Sequence, residues 1–178
     1  MTGTQIKTLA ETFVDDTIDA NNALAWINEC QISDLGEDAK ATDSVTIAVT
    51  NTSTWYNLPA DFIAVSDIED SSGNEYQGAY RIRGGQILFP VEKTFILHYY
   101  KMPTELTALT ETPEAHILLH RPMALFVASR HRALEADADA EELADSVRLM
   151  NEYQIKKRKA ITQINSSEWG GLPRIEVV

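Results

Sequence analysis

Apolar residues near the start of the chain recur at the three- and four-residue steps that are typical of amphipathic helices. One series covers residues 6–14, and a second covers residues 24–35. Asp19 precedes the second series, where its carboxylate is placed to cap the first turn. Gly36 follows the same series, at a position where glycine commonly ends a helix. The pattern therefore predicts two N-terminal helices.

In the middle of the chain the period changes from helical to alternating. Apolar and small polar residues alternate over residues 45–50, which is typical of a half-buried strand. Further short apolar runs follow, separated by turn sequences such as NTST, SSGN and the pair Gly84-Gly85. We expect five or six short strands in an antiparallel meander, because no helical segment separates them. The aromatic residues Trp55 and Tyr56 then belong to the sheet or its core, and not to a ligand-binding surface.

The helical period returns after Pro103, and it predicts two C-terminal helices. The first is expected to start at Pro113, since proline is favoured in a first turn, and to be kinked or broken at Pro122. The second is long and carries one apolar stripe, which is expected to face the core. That stripe consists of Leu143, Val147, Met150, Ile161 and Ile164.

The order of these elements predicts an α+β fold. Two N-terminal and two C-terminal helices form a helical bundle, which an antiparallel β-meander of five or six strands interrupts. We expect the N-terminal helices over residues 1–42 and the β part over residues 43–103. The C-terminal helices are expected over residues 104–165, and an extended tail over residues 166–178.

Composition limits the classes of protein to which the chain can belong. With 178 residues and 44% hydrophobic content, it is long enough for one domain with a sizeable core. No apolar run approaches the ~18 residues of a membrane span, and we expect no signal peptide at the N-terminus. The single cysteine, Cys30, excludes a framework of internal disulfides.

The net charge of −12 is concentrated in the first part of the chain. Residues 1–75 contain 14 acidic residues against two lysines, Lys7 and Lys40, whereas the rest of the chain has equal numbers of acidic and basic residues. Such an acidic surface favours solubility. It also argues against nucleic-acid binding there, because contacts with phosphates need lysine and arginine.

None of the residue patterns that catalysis or metal binding requires is complete. His116 and His120 are four residues apart, as zinc ligands on a helix are, but the sequence between them lacks the glutamate of an H-E-x-x-H motif. Cys30, His98 and His131 would join them only if the fold happened to bring them together. We therefore expect no catalytic site, no metal site and no cofactor. The alternative is a small soluble metal-binding protein or enzyme that uses His116, His120 and Cys30.

One dense basic run lies in the second half of the last predicted helix. It consists of Lys156, Lys157, Arg158 and Lys159. Four successive residues spread around a helix, and at this position they interact favourably with the negative end of the helix dipole. Two functional interpretations remain open: contact with the acidic first part of another copy, and contact with nucleic acid.

The tail beyond this helix is apolar for a segment that contains two glycines and a proline. It either packs against its own domain or forms an extended arm that binds a partner. Its apolar residues are Trp169, Leu172, Ile175, Val177 and Val178.

Several stretches of the chain are informative because of their order. They are ALAWINECQ at residues 23–31, YNLPADFIAVSDIE at 56–69, ILHYYKMPTEL at 96–106, RPMALFVASRHRAL at 121–134 and YQIKKRKAI at 153–161. In this order they resemble the head–tail adaptor, or connector, proteins of tailed bacteriophages. The resemblance spans most of residues 22–164 and leaves out residues 1–18 and the tail over residues 169–178.

The resemblance implies a structural protein of the virion and not an enzyme. Such adaptors form a ring beneath the portal, usually of twelve copies, that extends the DNA channel and gives tail or nozzle proteins a docking surface. Genomic DNA is then expected to pass through the channel without specific binding, with no membrane involved. Assembly is expected in the host cytoplasm, and the finished protein at the junction of capsid and tail.

The resemblance also implies partner-binding residues. The C-terminal segment is expected to reach the portal through Trp169, Leu172, Arg174 and Ile175. The basic run is expected to contact a neighbouring copy, because the acidic first part of that copy offers opposite charge. Another head-completion or tail-completion protein of a phage is the nearest alternative function.

Overall fold

The computed structural model describes residues 1–135 and 140–168. The chain divides into two compact units. A helical unit combines Met1–Ala39 with the chain from Thr104 onward, and a β unit comprises Lys40–Pro103.

Within its described residues, the helical unit contains four α-helices. These are α1 (Gly3–Val14), α2 (Ala20–Glu29), α3 (His120–Glu135) and α4 (Ala140–Glu168). Shorter helical segments are a π-helix (Cys30–Leu35) and two 3-10 turns (Gly36–Ala39 and Ile117–Leu119). In the part of the chain that the structure describes, no helix combines the length and the apolar character needed to cross a membrane.

Local side-chain bonds fix the ends of the N-terminal helices. Thr2 and Gln5 form a reciprocal capping box at the start of α1. Asp15 ends α1 in a left-handed conformation. The prediction that Asp19 caps α2 is confirmed, since its carboxylate accepts hydrogen bonds of 2.9 and 3.0 Å from two backbone N–H groups of the first turn. The prediction that Gly36 ends the second helical segment is confirmed too. Gly36 directly follows the last residue of the π-helix, and its φ of +49° is a conformation that glycine adopts readily.

The start of α3 differs from the prediction. Pro113 lies outside the helix, and α3 begins at His120 after the 3-10 turn. Pro122 consequently falls in the first turn of α3, where a backbone N–H would have no partner within the helix in any case. The expected break at Pro122 is therefore wrong, and α3 continues without interruption to Glu135.

Helix α3 is the centre of the helical unit. Every residue from Pro122 to Ser129 is buried, and α3 packs against α1, α2 and α4. Phe126 of α3 meets Tyr153 of α4 edge to face, with ring centroids 5.3 Å apart. The four helices thus share one hydrophobic core, in which the middle part of α3, from Pro122 to Ser129, is covered on all sides.

The apolar stripe predicted for α4 is wrong in its first half. Leu143 and Val147 are each 54% exposed, whereas the buried side of the helix carries Leu149 and Tyr153. The cause is Ser146, which lies against Ser129 of α3 and exchanges with it two hydrogen bonds of 3.0 Å from hydroxyl to backbone carbonyl. This polar contact fixes the rotation of α4, so that the aliphatic residues at 143 and 147 face outward.

The β unit has six strands in two antiparallel sheets. They are β1 (Ala41–Ala48), β2 (Tyr56–Asn57), β3 (Phe62–Asp70), β4 (Arg81–Arg83), β5 (Gln86–Leu88) and β6 (Thr94–Lys101). The strand orders are β1-β6-β3 and β2-β5-β4. The strand count agrees with the prediction, but this order is not that of a single meander. The last strand lies between β1 and β3 and pairs with both, and its residues from Thr94 to Tyr100 alternate between half-buried and buried.

Local features of the β unit agree with the prediction more closely than the strand order does. Gly84 and Gly85, both with positive φ, join β4 to β5 in the expected hairpin. The hydroxyl of Tyr56 accepts hydrogen bonds from the backbone N–H groups of Thr50 and Asn51, at 2.9 and 3.1 Å. Tyr56 also packs against the core of the β unit, so it supports the scaffold as expected.

The two faces of α4 predict different costs for one substitution. Leu149→Ala removes a side chain that is 1% exposed, and we expect it to lower the free energy of unfolding by about 2–5 kcal/mol. Leu143→Ala is the matched control, and we expect a change within about 0.5 kcal/mol. Urea unfolding followed by circular dichroism measures both. Equal costs would contradict the rotation of α4 described above.

Candidate functional site: the outer face of helix α4

Helix α4 has one face turned away from the core. Leu143, Val147 and Ile155 are each 54% exposed, although all three are aliphatic. Exposed polar residues lie beside them at helical spacing, including Asn151 and Arg158. We call the surface formed by these five residues the outer face. Single exposed aliphatic residues are common on protein surfaces, but an aligned series on one helix is a candidate contact surface.

The basic run divides between the interior and this surface. Lys157 is directed inward, where its ammonium group lies 2.7 Å from the Asp34 carboxylate and donates to the Asp34 carbonyl at 2.9 Å. Its side chain is only 13% exposed. Lys156, Arg158 and Lys159 are exposed, and over the described residues none of the three forms an ion pair. The run therefore supplies one internal tie and three surface cations.

Asp34 is the residue that the sequence did not reveal. It lies in the π-helix, more than a hundred positions before its partners, and Tyr153 also donates a hydrogen bond to its carboxylate. Cys30 completes this group, with its sulfur 3.6 Å from the Tyr153 hydroxyl. The only signal in the sequence was an acidic residue inside an apolar helical series. The group joins the first and last segments of the helical unit.

The thiol of Cys30 is not placed for chemistry. Burial raises the pKa of Cys30 from 9.0 to about 12, so the thiol stays protonated at neutral pH. Burial likewise raises the pKa of Tyr153. Both groups act as protonated members of a packed core.

The two histidines of the hypothetical zinc pair have different partners. His116 precedes the 3-10 turn, and its Nδ1 accepts a hydrogen bond from the Leu118 backbone N–H at 3.2 Å. His120 is buried, with its Nε2 2.8 Å from the Ala115 carbonyl and its Nδ1 2.8 Å from the N-terminal ammonium group. Burial lowers the pKa of His120. The hydrogen bonds of both histidines thus hold the backbone around the start of α3.

Another histidine does meet carboxylates. The Nε2 of His131 lies 3.3 Å from oxygens of both Asp16 and Glu135. Glu135 is also paired with Arg132 at 3.1 Å. A hydrogen bond from the Thr17 backbone N–H is the main reason that the pKa of Asp16 is lowered. These residues form a cluster of polar contacts at the C-terminal end of α3. Of the other sequence candidates, Cys30 lies beside Tyr153, and His98 lies in the β unit 3.6 Å from Glu69.

The residues expected to bind the portal lie outside the described part of the chain. They are Trp169, Leu172, Arg174 and Ile175.

Comparison with known proteins decides the family. A family model described as SU10 adaptor protein matches residues 1–174. The chain belongs to that family. It is a family of phage head–tail adaptors, so the resemblance seen in the sequence is confirmed, and the match extends to residues at both ends that the resemblance left out. No curated protein matches the chain.

The tie at Asp34 predicts that neighbouring lysines of the adaptor differ in their effect on stability. Lys157→Met leaves the Asp34 carboxylate and carbonyl without their cation, and we expect the free energy of unfolding to fall by about 1–3 kcal/mol. Lys156→Met is the control, with an expected change within about 0.5 kcal/mol. Guanidinium chloride unfolding measures both variants. A neutral Lys157→Met would show that the ion pair contributes nothing to the fold.

Burial of Cys30 predicts both slow thiol chemistry and sensitivity to alkali. The folded adaptor should not react with a disulfide reagent at pH 8, whereas the unfolded chain should react at once. Below pH ~8.5 both states keep the proton. Above it only the unfolded chain loses the proton, until the pH reaches the folded pKa of about 12.

Stability should therefore fall as the pH rises above ~8.5, by at most ~1.4 kcal/mol per pH unit from this group. Unfolding titrations between pH 8 and 10 measure the slope, and Cys30→Ala serves as the control with a shallower slope. Rapid labelling of the folded chain would contradict the buried position of the thiol.

Proposed function

We propose that the adaptor forms a ring of twelve copies beneath the portal, extends the DNA channel and provides the docking surface for tail or nozzle proteins. The observation that carries this proposal is the family match, which covers residues 1–174 of 178. Membership of a phage adaptor family implies a place in the virion and interaction with portal or tail proteins. The ring and its copy number are the proposed refinement.

The surface of the helical unit supports assembly from identical copies. A closed ring with one subunit type requires two different surfaces that complement each other, because each contact is head to tail. The outer face of α4 offers aliphatic side chains, and Arg158 within it and Lys159 beside it offer positive charge. The first part of the chain offers the opposite charge, with 14 acidic residues up to residue 75.

The charge of the adaptor also suits a channel through which DNA moves. Binding to DNA releases counterions only where lysine and arginine neutralise phosphates. A chain with a net charge of −12 has few places where that occurs. On this proposal the genome passes the ring without being held by it.

The C-terminal tail is proposed as the arm that reaches the portal. Leu172 and Ile175 supply apolar contacts, Trp169 supplies a large aromatic side chain, and Arg174 supplies a cation. Aromatic and arginine side chains are the residues that most often dominate binding at protein interfaces.

The first test measures the mass of the adaptor by light scattering after size exclusion, alone and with the portal protein of the same phage. We expect either a large closed oligomer of the adaptor alone or a complex that forms on the portal, which supplies a template for weak subunit contacts. A chain that stays monomeric and ignores the portal would disprove the proposed function. Binding to a tail protein alone would favour the rival role in tail completion.

A truncated chain tests the arm separately. Ending the chain after Ser166 removes the proposed portal contacts and leaves the helical unit through Ile164 intact. We expect portal binding to weaken at least tenfold, with unchanged thermal unfolding. The quadruple substitution of Trp169, Leu172, Arg174 and Ile175 by serine is the matched control for length. Full portal binding by both variants would remove the arm from the proposal.

A further inference from the structure

We infer that the outer face of α4, together with the neighbouring cation Lys159, docks on the acidic connection between α1 and α2 of the next copy. The acidic connection comprises residues 15–19, of which Asp15, Asp16 and Asp19 are acidic. The inference rests on the proposed ring and names the two surfaces from which the ring is built. Its occupant is a second copy of this chain.

The outer face carries an aligned series of aliphatic side chains. Leu143, Val147 and Ile155 are spaced four and eight residues apart, so they follow one side of the helix over ~18 Å. They remain about half exposed because Ser146 occupies the side of α4 that meets α3. An aliphatic series of this length on a long, regular helix has the form of a surface that buries against another protein.

Positive charge lies on and beside the outer face. Arg158 belongs to the outer face, and Lys159 is exposed next to it, whereas the exposed Lys156 faces another direction because each residue turns the helix by ~100°. The cation between them, Lys157, is already neutralised by Asp34. A partner for the outer face must therefore combine apolar contact with negative charge, and its carboxylates must come from outside the copy that carries the cations.

The acidic connection meets that requirement. Three of its five residues are acidic, and all three are exposed. Among the described residues no lysine or arginine pairs with Asp15, Asp16 or Asp19. The carboxylate of Asp16 accepts a hydrogen bond from the Thr17 backbone N–H and lies 3.3 Å from His131. Phe13 and Leu24, on the two helices joined by the connection, are partly exposed and extend the surface with apolar contact.

The arrangement of the helices gives the contact its head-to-tail direction. Arg132 of α3 donates to the carbonyl of Val14, next to the acidic connection, and pairs with Glu142 and Asp145 of α4. The acidic connection therefore lies near the start of α4, whereas Arg158 and Lys159 follow Asp145 by 13 and 14 residues along that helix, ~20 Å away. Two complementary surfaces at different places on one subunit propagate from copy to copy, and they close into a ring when the rotation between copies permits.

A second exposed acidic pair, Glu37 and Asp38, does not fit this role as well. Both residues follow Asp34 by only a few positions, and Asp34 is bound to Lys157 of α4. They therefore belong to the same side of the unit as the cations of their own copy. This pair supplies a control with the same change of charge.

The experiment compares three double variants with the wild type. Arg158→Glu with Lys159→Glu reverses the charge of the outer face. Asp15→Asn with Asp19→Asn neutralises the acidic connection, and asparagine preserves both the left-handed residue and the helix cap. Glu37→Gln with Asp38→Asn is the control. Thermal unfolding monitored by circular dichroism verifies that each variant folds.

Mass photometry then gives the adaptor concentration at which half the chains are in rings, with the portal added if the wild type requires it. We expect this concentration to rise at least about tenfold for the first two variants and to stay unchanged for the control. In a mixture of the first two variants, the intact outer face of the second can still bind the intact acidic connection of the first. No other pairing is left, so the mixture should form dimers and no rings. Rings of normal stability in either of the first two variants would overturn the inference.

The outcome for the wild type separates this inference from the function on which it rests. If the wild type and every variant form rings, the proposed function is supported, but the outer face and the acidic connection are not the surfaces that form the contact. Disruption by the Glu37 and Asp38 control alone would also overturn the assignment of the acidic surface. No assembly of the wild type, with or without the portal, would instead mean that the proposed function fails.

Discussion

The burial of α3 on every side is the constraint on which the helical unit depends. A helix that is covered all round needs apolar residues in every direction, and the run from Pro122 to Ser129 supplies them. Its neighbours come from both ends of the chain, because the β unit is inserted between α2 and α3. Folding must therefore bring together segments about a hundred residues apart, at the entropic cost of closing a long loop.

Polar ties then make this arrangement specific. The reciprocal hydrogen bonds between Ser129 and Ser146 fix the rotation of α4 on α3. The bonds of Asp34 to Tyr153 and Lys157 hold the π-helix against α4. Removing one member of such a tie leaves a partly buried polar group without its partner. These contacts explain why α4 buries Leu149 while it leaves Leu143 at the surface.

Features set by a few adjacent residues could be predicted from the sequence. The cap at Asp19, the stop at Gly36 and the hairpin at Gly84-Gly85 each follow from the conformational preference of one or two residues. The orientation of α4 could not be predicted in this way. Leu143 and Val147 fit a helical apolar pattern, but that pattern does not show whether they face the core or the solvent. The tie between Asp34 and Lys157 was also hidden, since nothing local relates residues so far apart. The sheet order failed for the same reason: hydrophobic alternation identifies strands but does not state which strands pair.

The division of the basic run has a consequence for how copies associate. Each copy carries a net charge of −12, so copies repel at long range, and this repulsion weakens as salt screens it. An attractive contact must then be short-ranged and local, as aliphatic burial beside a few cations is. Because Lys157 points inward, its ammonium group ties α4 to Asp34 of the π-helix. The other three cations of the basic run stay exposed. On the proposed ring, the same run thus stabilises the subunit from within and leaves a contact that is weak until a template holds the copies together.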